Sequence, residues 1–334
     1  MEVRKMTLSR FKISSSTVTG LIAITVCVAA TLIVVAESYA ASPKKTQKTF
    51  ASPEAAVEAL ISALRSNDER ALASLFGLGC NDLISSGDKV YDRNKRESFV
   101  KRYEESHSLE QDGPDKVVLR TGPQNWPMPI PIVKKGDKWV FDTKAGREEI
   151  IDRRIGKNEL YTIQTCLAIV DAQREYAMED REGNGLLEYA QKFGSDKGKK
   201  NGLYWKTQEG EEPSPLGELV VKAKAEGYSH KDAKGRPVPY HGYFYRILKA
   251  QGKDAPGGAF DYVVNGHMIG GFALVAYPAK YGVSGVMTFI VNYDGVVYQK
   301  DLGPKTDKTA SAMKVYNPDS TWEKVDEAIV ANIR

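Results

Sequence analysis

The sequence predicts an α+β protein of two domains, and three observations carry that expectation. Apolar residues recur every three or four positions between 155 and 185, the period of one helical face. After residue 239 come short runs rich in aromatic and β-branched residues, punctuated by glycine, the pattern of antiparallel strands. The length, 334 residues, exceeds one ordinary domain. A long amphipathic helix needs its apolar face covered, and the strands that follow are able to cover it.

The chain opens with Arg4, Lys5, Arg10 and Lys12, then an uncharged apolar run over 18–36, then the small residues Ser38 and Ala40. That order predicts a signal peptide over 1–40, cleaved after Ala40. The run also approaches the ~20 residues of a membrane span, so an uncleaved anchor is the alternative. Either way the protein is expected to be exported to the periplasm or cell envelope, touching membrane only through an uncleaved segment. Residues 41–49 are lysine-rich and poor in apolar side chains, as in a mobile linker.

The first domain is placed at 50–150. Ser52, Pro53 and Glu54 supply a cap, a first-turn proline and a first-turn acid, and Ala56, Ala59, Leu60, Ala63 and Leu64 give the helix behind them an apolar face. Asn67 and Asp68 break it. A short helix through Ala71, Leu72, Leu75 and Phe76 follows, then a helical piece near 98–103. Strands are expected at 117–119, 130–134 and 139–142, the last two joined by the Lys135-Gly136-Asp137 turn. Pro127, Pro129 and Pro131 lack amide donors, so they belong at a sheet edge or outside the ladder.

The second domain is placed at 151–334. Leu160, Ile163, Leu167, Val170 and Ala177 line the long helix, and residues 193–240 read as surface loop with one helix near 215–227. Strands are expected at 243–248, 272–277, 286–293 and 296–299. Residues 292–295 make a hairpin turn, and 272–277 is apolar on both faces, as in a central strand. Cys80 and Cys166 can pair in an oxidising compartment or remain two buried free thiols.

Helices leading into a sheet that ends in KWVFD resemble the cystatin-like domains of the nuclear transport factor two-like group. A long helix, a variable loop and a sheet closing on GVMTFIVNYDGVVYQKDLG resemble the globular part of type IV pilins and pseudopilins. More specifically, RRIGKNEL, DAQREYA, PYHGYFYRIL, APGGAFDYVVNG and PDSTW resemble the bacterial family catalogued as domain of unknown function 2950, over almost everything after residue 50. Those resemblances imply a cystatin-like helix-and-curled-sheet domain followed by a pilin-like long helix on an antiparallel sheet. They imply no activity.

Candidate sites are few. Asp180, Glu182 and Asn184 stand at the first, third and fifth positions of an EF-hand-like loop, Gly185 at the sixth and Glu188 at the ninth, so calcium is a candidate cofactor. The twelfth position is Gln191, which removes the usual bidentate acid, and a solvated turn explains the same residues. His241, His267 and Asp261 could transfer protons if the fold brings them together. Tyr204, Trp205, Tyr240, Tyr243 and Tyr245 could floor a glycan or peptide groove. There is no His-Glu-x-x-His, nucleophile elbow or phosphate loop. A formal net charge of +4 spread along the chain is no nucleic-acid footprint. The reading that follows is a non-catalytic envelope module that binds a protein, peptide or glycan, or assembles with one. The alternative is an envelope hydrolase using His241, His267 and Asp261.

Overall fold

The computed structural model describes residues 46–229 and 231–333. The predicted signal peptide or anchor at 1–40 and the start of the linker, 41–45, lie outside the described residues. The fold is α+β, and Gln47–Arg334 form one compact unit.

Four helices come first: α1 (Pro53–Arg65), α2 (Glu69–Phe76), α3 (Asn81–Ile84) and α4 (Lys89–Glu105). Ser52 caps α1 by accepting the Ala55 amide, as its sequence signal predicts, and Asp68 does the same for α2. The antiparallel sheet that follows holds β1 (His107–Gln111), β2 (Lys116–Thr121), β4 (Ile132–Lys135) and β5 (Lys138–Phe141) in that order, with β3 (Trp126–Pro127) beside β2. The Pro-rich segment stays out of the central ladder, because each proline removes a donor. Val57, Leu60, Leu72, Leu75, Leu119, Ile130, Ile132 and Phe141 make one core between helices and sheet.

The linker ends sooner than expected. The Gln47 side-chain amide donates to Leu75 O at 2.9 Å and Phe141 O at 2.7 Å, and Phe50 pairs with Trp139. Two satisfied carbonyls and a strand bridge pin what composition alone reads as mobile.

Helix α5 runs from Thr143–Tyr176, starting twelve residues earlier than the apolar period begins and stopping before 185. Asp142 caps it, and its charged first half is held by contacts no hydrophobic pattern reports: the Arg154 guanidinium donates to Asp82 O at 2.6 Å and Leu83 O at 2.9 Å. Gly146 lets the helix cross the proline segment closely, since a Cβ there would stand 2.3 Å from Pro129 O. The buried face is centred on Thr162, Cys166, Ile169 and Gln173. Leu160, expected on it, lies on the far side and is 45% exposed.

Beyond α6 (Gly217–Ala225), the strands β6 (Tyr243–Leu248), β11 (Ala273–Pro278), β12 (Met287–Asn292) and β13 (Val297–Asp301) form the second antiparallel sheet, with β15 (Glu323–Lys324) at the β13 edge. β11 lies between β6 and β12 and is buried along its whole length. Short strands decorate this plan: β7 (Ala250–Gln251), β8 (Phe260–Asp261), β9 (Val263–Val264), β10 (His267–Met268) and β14 (Val315–Tyr316). Helices α7 (Thr306–Ala312) and α8 (Glu327–Ile333) close the chain. Cys166, Ile169, Val170, Phe272, Leu274, Phe289 and Val291 make a second core between α5 and this sheet. Cys80 and Cys166 are free, buried, and in different cores. Glu159 on α5 accepts the Val286 and Met287 amides, each at 2.9 Å, clamping the start of β12 to the helix.

Candidate functional site

Two helix faces build the site. On α4, Tyr91, Lys95, Phe99 and Arg102 follow one another at spacings of four, four and three, so they share one face. On α5, Ile150, Arg153, Arg154, Lys157 and Tyr161 form a matching stripe. These faces line a cavity of about 540 Å³, within the range of small-molecule sites. Its deep wall is apolar, made of the buried Leu60, Ile84, Met128 and Ile130 with Phe76, Leu83, Phe99 and Ile150. At its mouth stand exposed cations and Trp126, a tryptophan 55% exposed beside a proline.

Six cations line this cavity, Lys95, Arg96, Arg102, Arg153, Arg154 and Lys157, against one carboxylate, Asp92. Three are committed. Arg96 donates to Asn67, the Ile84 carbonyl and Glu69; Arg154 donates to the Asp82 and Leu83 carbonyls; Arg153 pairs with Glu149. The other three, Lys95, Arg102 and Lys157, have no carboxylate within ion-pair distance among the described residues. Their neighbours are aromatic faces instead: Lys95 over Tyr91, Arg102 over Phe99 and Lys157 over Tyr161, at 5.3, 5.8 and 5.5 Å. Lys95 is pushed down to about 8, by lost hydration first and the Lys157 charge second. Asp92 is buried, which raises its carboxyl, and it accepts the Ser86 amide at 3.0 Å.

His241 borders this region. It takes a left-handed backbone with φ +48, and Gly242 follows with φ +79, where a Cβ would stand 2.6 Å from Asn158 Nδ2. Asp88 fixes the loop: its Oδ2 accepts the Gly242 amide and the Tyr228 hydroxyl, both at 2.9 Å, and its Oδ1 accepts the Tyr91 amide. The imidazole stacks on Tyr161 with centroids 4.4 Å apart. Burial first, then Lys222, Lys157 and Lys95, push it down to about 4, so it is neutral at neutral pH. Its Nε2 lies 3.1 Å from Glu226 Oε2, yet the two are not aligned, and these atoms and Nδ1 have no hydrogen-bond partner.

The other expected residues sit elsewhere. His267, on β10, places Nδ1 3.2 Å from both oxygens of the buried Glu188. Asp261 is exposed on β8. No hydrogen bond or ion pair joins His241, His267 and Asp261 among the described residues. In the acidic loop, Asp180 accepts the Asn184 and Gly185 amides at 3.0 and 2.7 Å, Asn184 donates to Glu188 at 2.7 Å, and Glu182 is exposed. Among the described residues no group of three or more His, Cys, Asp or Glu is arranged to hold a metal ion. Of the aromatics expected to floor a groove, Tyr243 is wholly buried, and Tyr204, Trp205 and Tyr245 pack on the second core. Burial pushes the Cys166 thiol up to about 12, which leaves it unreactive.

Lys95, Arg102 and Lys157 do not stand out in the sequence, because charged residues on a helix ordinarily face solvent. The usable signal was their interleaving with Tyr91, Phe99 and Tyr161 on the same stripe, which a purely solvated face does not need.

A family model described as a protein of unknown function, DUF2950, matches residues 47–325. No curated protein and no solved structure matches the chain. The cystatin-like and pilin-like resemblances therefore rest on element order alone.

Proposed function

The chain belongs to the DUF2950 family, whose description carries no activity, so function has to come from the side chains, and we propose that the protein is a non-catalytic binding module of the cell envelope for an anionic amphiphile. The observation that carries this reading is the trio Lys95, Arg102 and Lys157, which face a cavity with an apolar deep wall and, among the described residues, have no carboxylate within ion-pair distance. Like charges held together repel, so an anion that enters gains from all three at once. The apolar wall gives a hydrocarbon tail a place out of water, at ~25 cal/mol for each Å² covered. Trp126 at the mouth suits the boundary between tail and head group. Export from the N-terminal signal places such ligands within reach. The hydrolase alternative gains no support from the geometry, because His267 is engaged by Glu188 and Asp261 stands on an exposed strand.

Calorimetric titration with dodecyl phosphate, kept below its micellar concentration, tests the reading. Binding of one molecule with micromolar affinity, weakening with added salt, is expected. Absence of binding, or binding indifferent to salt, would overturn it.

A further inference from the structure

A second pocket, about 140 Å³, opens beside the cavity and shares Tyr91, Lys95 and Lys157 with it. A molecule whose charge rests on the two lysines can therefore extend into both spaces. The remaining wall of the smaller pocket is polar and aromatic, with His241, Glu226 and Tyr161 as its chief members. We infer that this pocket reads the head group of the amphiphile: the ligand is a phospho-polyol lipid, with its phosphate between Lys95 and Lys157 and its hydroxyls on His241 and Glu226. This rests on the cavity reading for the tail and adds the head group.

Three observations support it. First, both His241 ring nitrogens and Glu226 Oε2 are buried without hydrogen-bond partners, and His241 is only 8% exposed. Buried polar atoms in a native fold are ordinarily bonded, so orphans on a pocket wall point to a partner that enters. Second, the set of orphans matches hydroxyls. A neutral imidazole has one N–H and one lone pair, and the carboxylate accepts, so the wall needs groups able to donate and accept at once, as each hydroxyl does. Third, the field excludes the common cationic alternative. Around His241 stand Lys95, Lys157 and Lys222 against two carboxylates, Glu226 and Asp88, the second already accepting the Gly242 amide and the Tyr228 hydroxyl, so an ammonium-bearing head group meets more cations than acids where a neutral polyol is indifferent to the field.

The backbone around the pocket is also fixed before any ligand arrives, so that only the His241 and Glu226 side chains turn to meet the hydroxyls. Asn94 donates to Glu226 O at 2.9 Å, and Asp88 holds Gly242 and Tyr228, so the strained His241 backbone is determined from both sides. Strain that the surroundings hold in place is a recurring property of binding sites.

The test compares three phosphodiesters with the same twelve-carbon tail, dodecyl phosphoglycerol, dodecyl methyl phosphate and dodecyl phosphoethanolamine, each below its micellar concentration, on the purified full-length protein. The phosphoglycerol is expected to bind about tenfold tighter than the methyl phosphate, the gain of two hydrogen bonds to buried groups. His241→Asn, which tolerates the left-handed backbone, and Glu226→Gln, which keeps the shape, should each remove most of that advantage. Equal affinity of phosphoglycerol and methyl phosphate for the wild type would overturn the head-group inference and leave the cavity reading standing. Tightest binding of the phosphoethanolamine would also overturn it, turning Glu226 into an ammonium site. If no probe binds, the cavity reading and this one fall together. Should His241→Asn not fold, Glu226→Gln alone decides, since full retention of the tenfold preference in that variant would contradict the assignment.

Discussion

Two polar regions of this molecule, of which the first stands out in the sequence and the second mainly in the structure, differ in how their side chains are partnered. Around Asp180, Asn184, Glu188 and His267, the side chains answer one another: Asp180 holds its own loop's amides, Asn184 bonds Glu188, and Glu188 faces His267. Around Lys95, Arg102, Lys157, His241 and Glu226, the charges repel and the buried polar atoms lack partners. A cluster whose members satisfy each other is a structural joint, whereas one that leaves like charges together is stabilised by something added.

The strongest way to break that comparison is to reverse the lysine charges. Lys95→Glu with Lys157→Glu should weaken dodecyl phosphate binding by about a hundredfold or more, since each charge-assisted bond to phosphate carries ~1.5 to 3 kcal/mol. Thermal stability should hold, because the two new carboxylates repel each other no more than the lysines did and stand among Arg96, Arg102, Arg153 and Arg154. A titration paired with a melting curve checks both, and a large loss of stability would place the lysines in the structural class.

Next in size is the acid response of His241. Its folded value, about 4, lies below the ordinary 6.5, so between those values the unfolded chain takes up a proton that the folded chain refuses. The contribution is complete above pH 6.5 and is lost as the pH falls to about 4, by up to about 3 kcal/mol and less where solvent screens the ring. Urea unfolding across that window should show the slope in the wild type and a shallower one in His241→Asn. Parallel slopes would mean that the imidazole is hydrated.

In the satisfied cluster, Glu188→Ala strands His267 and Asn184 and should cost ~1 to 3 kcal/mol while leaving dodecyl phosphate binding unchanged. Lost ligand affinity in that variant would erase the distinction between the regions. The smallest effect is expected from calcium. With both Asp180 oxygens already accepting amides, millimolar calcium should move the melting midpoint by less than about 1 °C, and a rise of several degrees would show that the loop rearranges into a cage.

Much of the fold was legible because its signals are local. The Ser52-Pro53-Glu54 cap, the hairpin turn at 292–295 and the doubly apolar β11 each depend on a few neighbouring residues, and each lies where the pattern puts it. The first half of α5 was not legible, since Arg154 and Gly146 act through contacts with Asp82, Leu83 and Pro129, far away in the chain. The site was harder still. His241 stood out by type, but its partners Lys95, Lys157 and Glu226 belong to three helices or their ends, and only the packing of those elements shows that two lysines meet without an acid. The pattern that did resemble a site, the calcium-like loop, is drawn from contiguous residues, and contiguous residues are also what a self-bonded turn uses.

The most direct test of the central claim is a charge swap read on both partners. Dodecyl phosphate and dodecyl trimethylammonium are titrated into the wild type and into the Lys95→Glu, Lys157→Glu double variant. If the cavity holds an anionic amphiphile through these lysines, the wild type binds the phosphate and the variant prefers the ammonium. If both proteins show the same preference, or bind neither probe, the lysine pair is not a ligand site and the cavity holds no anionic amphiphile.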